Sequence, residues 1–268
     1  MALALAMESA FILGGSSSST SSDGFEWANV ADLDPLHAWD FLTNQAKFNG
    51  VNVGPLANTP GWSFTRASTG YAQTSAGALT AFASGELRRT DKGVLIEGAR
   101  TNLLTYSQEF DNAAWTKTNA TITANTTAAP DGTTTADTIT DDATSGQHSV
   151  YSAAFSATSG TVYCGSVFAK QGTDTRIQIR FGSGAFSGVG YANFDLSAGT
   201  VSATGGTIVA SGITALAGGW YRCWVALTAT STVTEIMHIQ RISSGSAARA
   251  ESYSGSSTTV YLWGAQLE

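Results

Sequence analysis

Over the second half of the chain, apolar and polar positions alternate in short runs. Between Ala120 and Ala124, Ala120, Ile122 and Ala124 share one face while Thr121 and Thr123 take the other, the period of two expected of a half-buried strand. Val150 to Phe155, Val162 to Lys170, Thr175 to Phe181, Tyr191 to Leu196, Tyr221 to Thr228, Val233 to Ile242 and Thr258 to Leu267 also read as strands, separated by clusters of Gly, Asn, Asp and Ser. Many short strands with turn signals between them predict a β-sandwich or barrel. In the run from Thr175 to Phe181, Ile177, Ile179 and Phe181 line one face and Arg176, Gln178 and Arg180 the other. A slip of one residue would drive the arginines into the core, so this register is strongly specified. No solenoid period is present.

Upstream the pattern changes. Val51 to Gly93 is punctuated by Pro55, Pro60, Gly61, Gly70, Gly77 and Gly85, which break it into short extended pieces. The apolar run from Gly93 to Leu104 reads as a strand leading into a boundary near residue 103. Phe25 to Gly50 holds the only helix-like spacing, with Leu36, Trp39, Leu42 and Ala46 three and four residues apart, Asp34 as a cap and Pro35 in the first turn. An extended segment, with Trp39, Phe41 and Phe48 as strand residues, is the competing reading, and both stay open. Met1 to Gly15 is apolar, carrying Leu3, Leu5, Phe11, Ile12 and Leu13. It lacks the basic start of a signal peptide, Glu8 interrupts it, and it falls short of the roughly 20 residues of a membrane span. The expectation is an apolar anchor that docks into a partner, held on the polar tether Ser16 to Ser22; a disordered start is the alternative.

The expected organisation is therefore an anchor and linker over 1–22, a turn-rich docking and connecting region over 23–103 with at most one short helix, and a β-sandwich over 104–268.

Composition narrows the function classes. Charged residues are 12% of the chain, about half the usual share, so the surface is expected to be made of hydroxyls and amides. With 13 basic against 20 acidic residues and a net charge of −7, no basic stripe offers itself to a nucleic acid, and docking on anionic lipid is disfavoured. Cys164 and Cys223 each lie in a strand-like run and read as small buried hydrophobes; no Cys/His spacing suggests zinc. Asp131, Asp137, Asp141, Asp142, Glu109 and Glu268 offer no carboxylate pair at the spacing of a glycosidase, and His37, His148 and His238 are scattered. There is no nucleophile elbow and no phosphate-binding glycine loop. The chain reads as a non-enzyme that needs no cofactor, with Asp131, Asp141 and Asp142 as weak candidates for a structural Ca²⁺.

Longer motifs carry a resemblance. Phe64-Thr-Arg-Ala-Ser-Thr-Gly-Tyr71 is followed by Gly93-Val-Leu-Ile-Glu-Gly-Ala-Arg-Thr-Asn-Leu-Leu-Thr-Tyr-Ser-Gln-Glu-Phe-Asp-Asn-Ala-Ala-Trp115. Ala129-Pro-Asp-Gly-Thr133, Gly219-Trp-Tyr-Arg222 and Tyr261-Leu-Trp-Gly-Ala-Gln-Leu-Glu268 come after them. In this order they resemble the phage head spike fibre domain of tailed-bacteriophage virion proteins, over about residues 62 to 268. The resemblance implies a jelly-roll sandwich like those of carbohydrate-binding modules. It also implies a homotrimer assembled in the host cytoplasm and displayed on the virion surface. Its N-terminus would join phage capsid, portal or tail proteins, and its sandwich would contact host glycans. In the structural motif Arg100-Thr-Asn102, between two apolar segments, Arg100 is expected to tie them together by hydrogen bonds to carbonyls. Trp115, Trp220 and Trp263 are expected as core anchors; as an alternative, Trp115, Trp220 and Tyr253 are the candidates for stacking on sugar rings.

Overall fold

The structure is a computed structural model. It describes the backbone of residues 37–40, 45–48 and 51–54, and residues 65–268 apart from 96, 98 and 99. The anchoring candidates Leu3, Leu5, Phe11, Ile12 and Leu13 and the Ser/Thr tether lie outside the described residues. The chain divides into two compact units. The first takes residues up to Ser75 together with Thr80–Glu97, and the second takes Ala76–Leu79 and Gly98–Glu268.

In the first unit, β1 (His37–Asp40), β2 (Gln45–Phe48) and β3 (Val51–Gly54) form a three-stranded antiparallel sheet. The extended reading therefore holds in place of the helix. Trp39 and Ala46, about two turns apart on the supposed helical stripe, are paired across β1 and β2. A helix of this length is marginal by itself, whereas Trp39 and Phe48 suit a pleated surface. β4 (Gly70–Gln73) pairs with β5 (Leu79–Phe82), and β6 (Arg89–Thr90) with β7 (Gly93–Val94). Among the described residues of the run from Gly93 to Leu104, the strand is confined to Gly93–Val94.

The second unit contains β8 (Thr116–Thr118), β9 (Ala120–Thr127), β10 (Ala136–Asp141), β11 (Ser145–Gly146), β12 (His148–Tyr151) and β13 (Phe155–Ala157). β14 (Val162–Gln171), β15 (Arg176–Phe181), β16 (Tyr191–Asp195), β17 (Thr200–Gly205) and β18 (Ala210–Ala215) follow. β19 (Trp220–Thr228), β20 (Val233–Glu235), β21 (Met237–Arg241), β22 (Tyr253–Ser254) and β23 (Thr259–Leu267) complete it. Two six-stranded sheets result, in the orders β18-β19-β14-β23-β10-β9 and β17-β16-β15-β21-β12-β8. The chain passes back and forth between them: β10, β14, β19 and β23 lie in the first sheet, and β12, β15, β16 and β21 in the second. This interleaving is the jelly-roll form of the β-sandwich.

Alternation fills the space between the sheets. Ile139, Val167, Val225 and Leu262 come from the first sheet, and Val150, Ile179, Phe194 and Ile239 from the second. Each such side chain contributes roughly 1.5–3 kcal/mol relative to exposure. The segment before β8 closes the core with Leu104, Phe110 and Trp115. Buried Asp137 holds it there, its carboxylate accepting the Phe110 N–H at 2.8 Å and the Asn125 N–H at 2.9 Å. Cys223 is buried and Cys164 half-buried, and both are free thiols. Their strands are neighbours, but Cys223 stands opposite Val167 and Cys164 opposite Ala226. The odd offset between positions 164 and 167 puts the two sulfurs on opposite faces of the sheet.

Candidate functional site

The face of the second sheet that points away from the core is built in two polar rows. Strict alternation produces them, because each core residue on β12, β15, β16 and β21 is followed by one directed outwards. In one row Ala203, Asn193, Gln178, Gln240, Ser149 and Thr118 stand side by side across six strands. The segment following β21 lies over this row. Asn193 donates to the carbonyls of Gly245 and Ala247, Gln178 to that of Ala248, and Gln240 to that of Glu251, while the Ala250 N–H donates back to Gln178. Gln178, Asn193 and Gln240 are fully buried as a result. The polar side of Thr175 to Phe181 is therefore not a solvated face. Its amides satisfy the backbone of a covering segment, which is how buried amides are tolerated.

Two residues along, the neighbouring row reads Gly205, Tyr191, Arg180, His238, Tyr151 and Thr116. None of its side chains is hydrogen-bonded to the covering backbone. Tyr191 and Tyr151 are half-buried and bracket Arg180 and His238. The Tyr151 ring packs on the His238 ring at 5.1 Å. Arg180 is held by Nε to Gln240 at 3.0 Å and by Nη2 to Gln147 at 2.9 Å. From the covering segment Arg249 reaches the end of the same strand, where its Nη2 donates to the Phe181 carbonyl at 2.6 Å. Burial, and then the neighbouring Arg249 charge, lower Arg180 to about 10, with Glu235 acting in the opposite direction. Burial, and then the charges of Arg180 and Arg249, push His238 down to about 3. At neutral pH the row thus holds a cationic guanidinium beside a neutral imidazole, flanked by phenols.

The residues singled out in the sequence lie elsewhere. Trp115 is buried, its Nε1 donating to the Tyr106 carbonyl at 2.9 Å and its ring against Phe110. Trp220 is also buried and donates to the Ala128 carbonyl. Both are core anchors and cannot stack on a ligand. Tyr253 is half-buried; its hydroxyl donates to Asp141 at 3.1 Å and its ring packs on His148 at 4.4 Å. Asn102 ties its segment to β23: it donates to the Ala265 carbonyl and accepts the N–H groups of Leu104 and Leu267. Arg100 instead projects outwards, its side chain 73% exposed, towards the Glu268 carboxylate at 3.5 Å. Arg66, in the first unit, does the gathering of carbonyls expected of Arg100, donating to those of Ser68, Phe82, Ala83 and Glu86.

The three calcium candidates do not converge. Asp131 and Asp142 each cap a local turn, accepting from Thr133 and from Thr144 respectively. Asp141 is buried and accepts from Tyr253, Ser256 and Thr258. Burial would raise its carboxyl, but the Thr258 hydrogen bonds and the Arg241 charge prevail and hold it below the usual range. Among the described residues no group of three or more His, Cys, Asp or Glu side chains is placed to hold a metal ion.

Arg180, His238, Tyr151, Tyr191 and Arg249 were not recognised as a group in the sequence. Alternation put Arg180 on the outward face, but its neighbours come from strands separated by up to 87 residues in the chain, counting from Tyr151 to His238. Only the pairing brings them together.

No protein-family model matches the chain, and no curated protein does. Three solved structures are similar at a distance. The enzymatically active domain of tailspike protein 4 of bacteriophage CBA120 is 14% identical with a TM-score of 0.35; the match covers 62% of this chain and 21% of that one. A putative sugar-binding protein of Bacteroides thetaiotaomicron is 12% identical with a TM-score of 0.34, covering 63% of this chain and 93% of that one. A carbohydrate-binding module of the β-sandwich superfamily is 14% identical with a TM-score of 0.33, covering 87% and 84%. This chain thus spans about a fifth of the tailspike domain, and none of these likenesses bears on its function.

Proposed function

We propose that this chain is a glycan-binding β-sandwich of a bacteriophage particle, a head spike, fibre or decoration subunit that contacts carbohydrate through the outer face of its second sheet. The observation that carries the binding reading is the row Tyr191, Arg180, His238 and Tyr151, to which the covering backbone is not hydrogen-bonded; Arg180 is buried within it and the other three are half-buried. Phenol rings give an apolar face to a sugar ring and a polar edge to its hydroxyls, and the guanidinium and imidazole between them add hydrogen-bonding groups. Binding without turnover is the reading because the row contains a guanidinium, an imidazole and two phenols, whereas glycoside hydrolysis runs on two carboxylates about 5–10 Å apart. Glu235 is the carboxylate whose charge reaches Arg180. It is buried, and its oxygens accept the N–H groups of Ala185 and Ile236.

The placement on a virion rests on the ordered motifs from Phe64 to Glu268 and on the apolar start with its polar tether. A homotrimer, assembled in the host cytoplasm and docked on capsid, portal or tail proteins, belongs to the same reading. A tail-fibre adhesin would use the same face, and a low-resolution map of the particle separates the two positions. The test of binding is a glycan array probed with the full chain. Tyr151→Ala and Tyr191→Ala are each expected to weaken any positive interaction about tenfold, as loss of a stacked aromatic should. No bound glycan at millimolar sensitivity, or unaltered binding by both variants, overturns it. Mass photometry of the purified chain is expected to show three copies; a monomer refutes the trimer.

A further inference from the structure

The second unit contains two ways of burying a guanidinium. Arg241 is fully buried and ion-paired: its Nη2 lies 2.6 Å from the Asp174 carboxylate, and it also donates to the carbonyl and hydroxyl of Thr258, although its Nε, like that of Arg249, is buried without a partner. Arg180, also buried, has only the amide oxygens of Gln240 and Gln147. Arg249 has one carbonyl, and its Nε is buried without a partner. Neither forms an ion pair among the described residues. The imidazole between them adds a third open group, since its Nδ1 is also buried and unpartnered. Buried charges are normally paired, and an unsatisfied buried polar group calls for an explanation. A missing counter-charge explains the two guanidinium groups that lack an ion pair.

We propose that Arg180 and Arg249 together receive the carboxylate of an acidic sugar bound across this face. The inference rests on the glycan-binding reading and names the class of sugar. Charge matching selects a monoanion: two guanidinium groups, against the single carboxylate of Glu235 whose field reaches both, leave one positive charge over. A guanidinium fork matches a planar carboxylate in geometry as well as in charge. The flanking Tyr151 and Tyr191 then hold the ring that bears it. The overall charge of −7 repels anions in general, so an acidic ligand gains its affinity from this local cluster.

The test presents the full chain with glycans ending in uronate or sialate, each beside its carboxyl-reduced counterpart, and with sulfated glycans as a separate arm. Calorimetry on the binders is expected to show the acid form at least about tenfold tighter than the reduced form, the scale of a hydrogen bond to a charged group. Added salt should narrow that gap. Arg249→Gln should abolish the gap by weakening the acid form about tenfold, and Arg249→Lys should restore part of it. A melting curve for each variant establishes that the fold is intact. Equal binding of acid and reduced forms, a preference for the sulfated arm, or a gap that survives in Arg249→Gln overturns the inference while the glycan-binding reading stands. No binding by any glycan overturns both.

Discussion

At the scale of single residues, irregular segments of this chain are held by polar side chains that take up backbone groups. Asn102 bridges three of them between its own segment and β23. Asn102→Ala is expected to cost about 1–3 kcal/mol, from donors and acceptors left with weaker partners, and urea unfolding will measure it. His238 makes a pH-dependent contribution. Its folded pKa, about 3, lies below the ordinary value of 6.5. Between these values the unfolded chain binds the proton and the folded chain does not, so stability falls as pH is lowered from 6.5 towards 3. His238→Gln should flatten that part of a stability-against-pH curve; an unchanged slope would mean that the imidazole is not shielded. The motif Arg100-Thr-Asn102 was legible because it sits between two apolar runs, but the tie expected of Arg100 is made by Asn102. Arg66 was not, because nothing local to Phe64-Thr-Arg66 announces that carbonyls from residues 82 to 86 converge on it.

At the scale of elements, the clearest strands were those with one apolar and one polar face, such as β15. Even there alternation could not tell a solvated outer face from one sealed by a segment 70 to 72 residues on. β10 escaped notice because Asp137 and Asp141 resemble turn residues; both carboxylates are in fact satisfied by backbone N–H groups, which lets them sit in a central strand. β17 and β18, at the edges of their sheets, are made largely of small residues and alternate weakly. Close approach between sheets also has a sharp requirement. A Cβ added at Gly165 on β14 would come within 2.6 Å of the Met237 sulfur and 2.8 Å of the Phe181 ring. Gly165→Ala is therefore expected to destabilise by about 1–3 kcal/mol, read as a lowered melting temperature. Cys164 and Cys223, on adjacent strands but opposite faces, should stay unlinked under mild oxidation, and non-reducing mass spectrometry should recover both as thiols.

At the scale of the whole molecule, the jelly roll interleaves strands far apart in sequence, so its strand order could not be read from local patterns, although the alternation over residues 104 to 268 was enough for a sandwich. The candidate face lies a level beyond that, since it exists only once β12, β15, β16 and β21 are paired in one register. The second unit carries its own core from Leu104 to Leu267. Deleting Met1 to Gly15 should accordingly leave the circular dichroism of the sandwich unchanged while abolishing incorporation into the particle; normal incorporation would refute the anchoring role.

The segment laid over the amide row sets the direction in which anything can lie on this sheet. It occupies one of the two rows, and what its backbone leaves unbonded is a single, half-buried line from Tyr191 to Tyr151 at right angles to the strands. Three inter-strand steps make that line about 14 Å long. A polymer therefore has to cross the strands on a narrow track, and a branch extending towards the covering segment would meet its backbone. The footprint favours chain ends and unbranched stretches, and the occupied row becomes a filter on ligand shape.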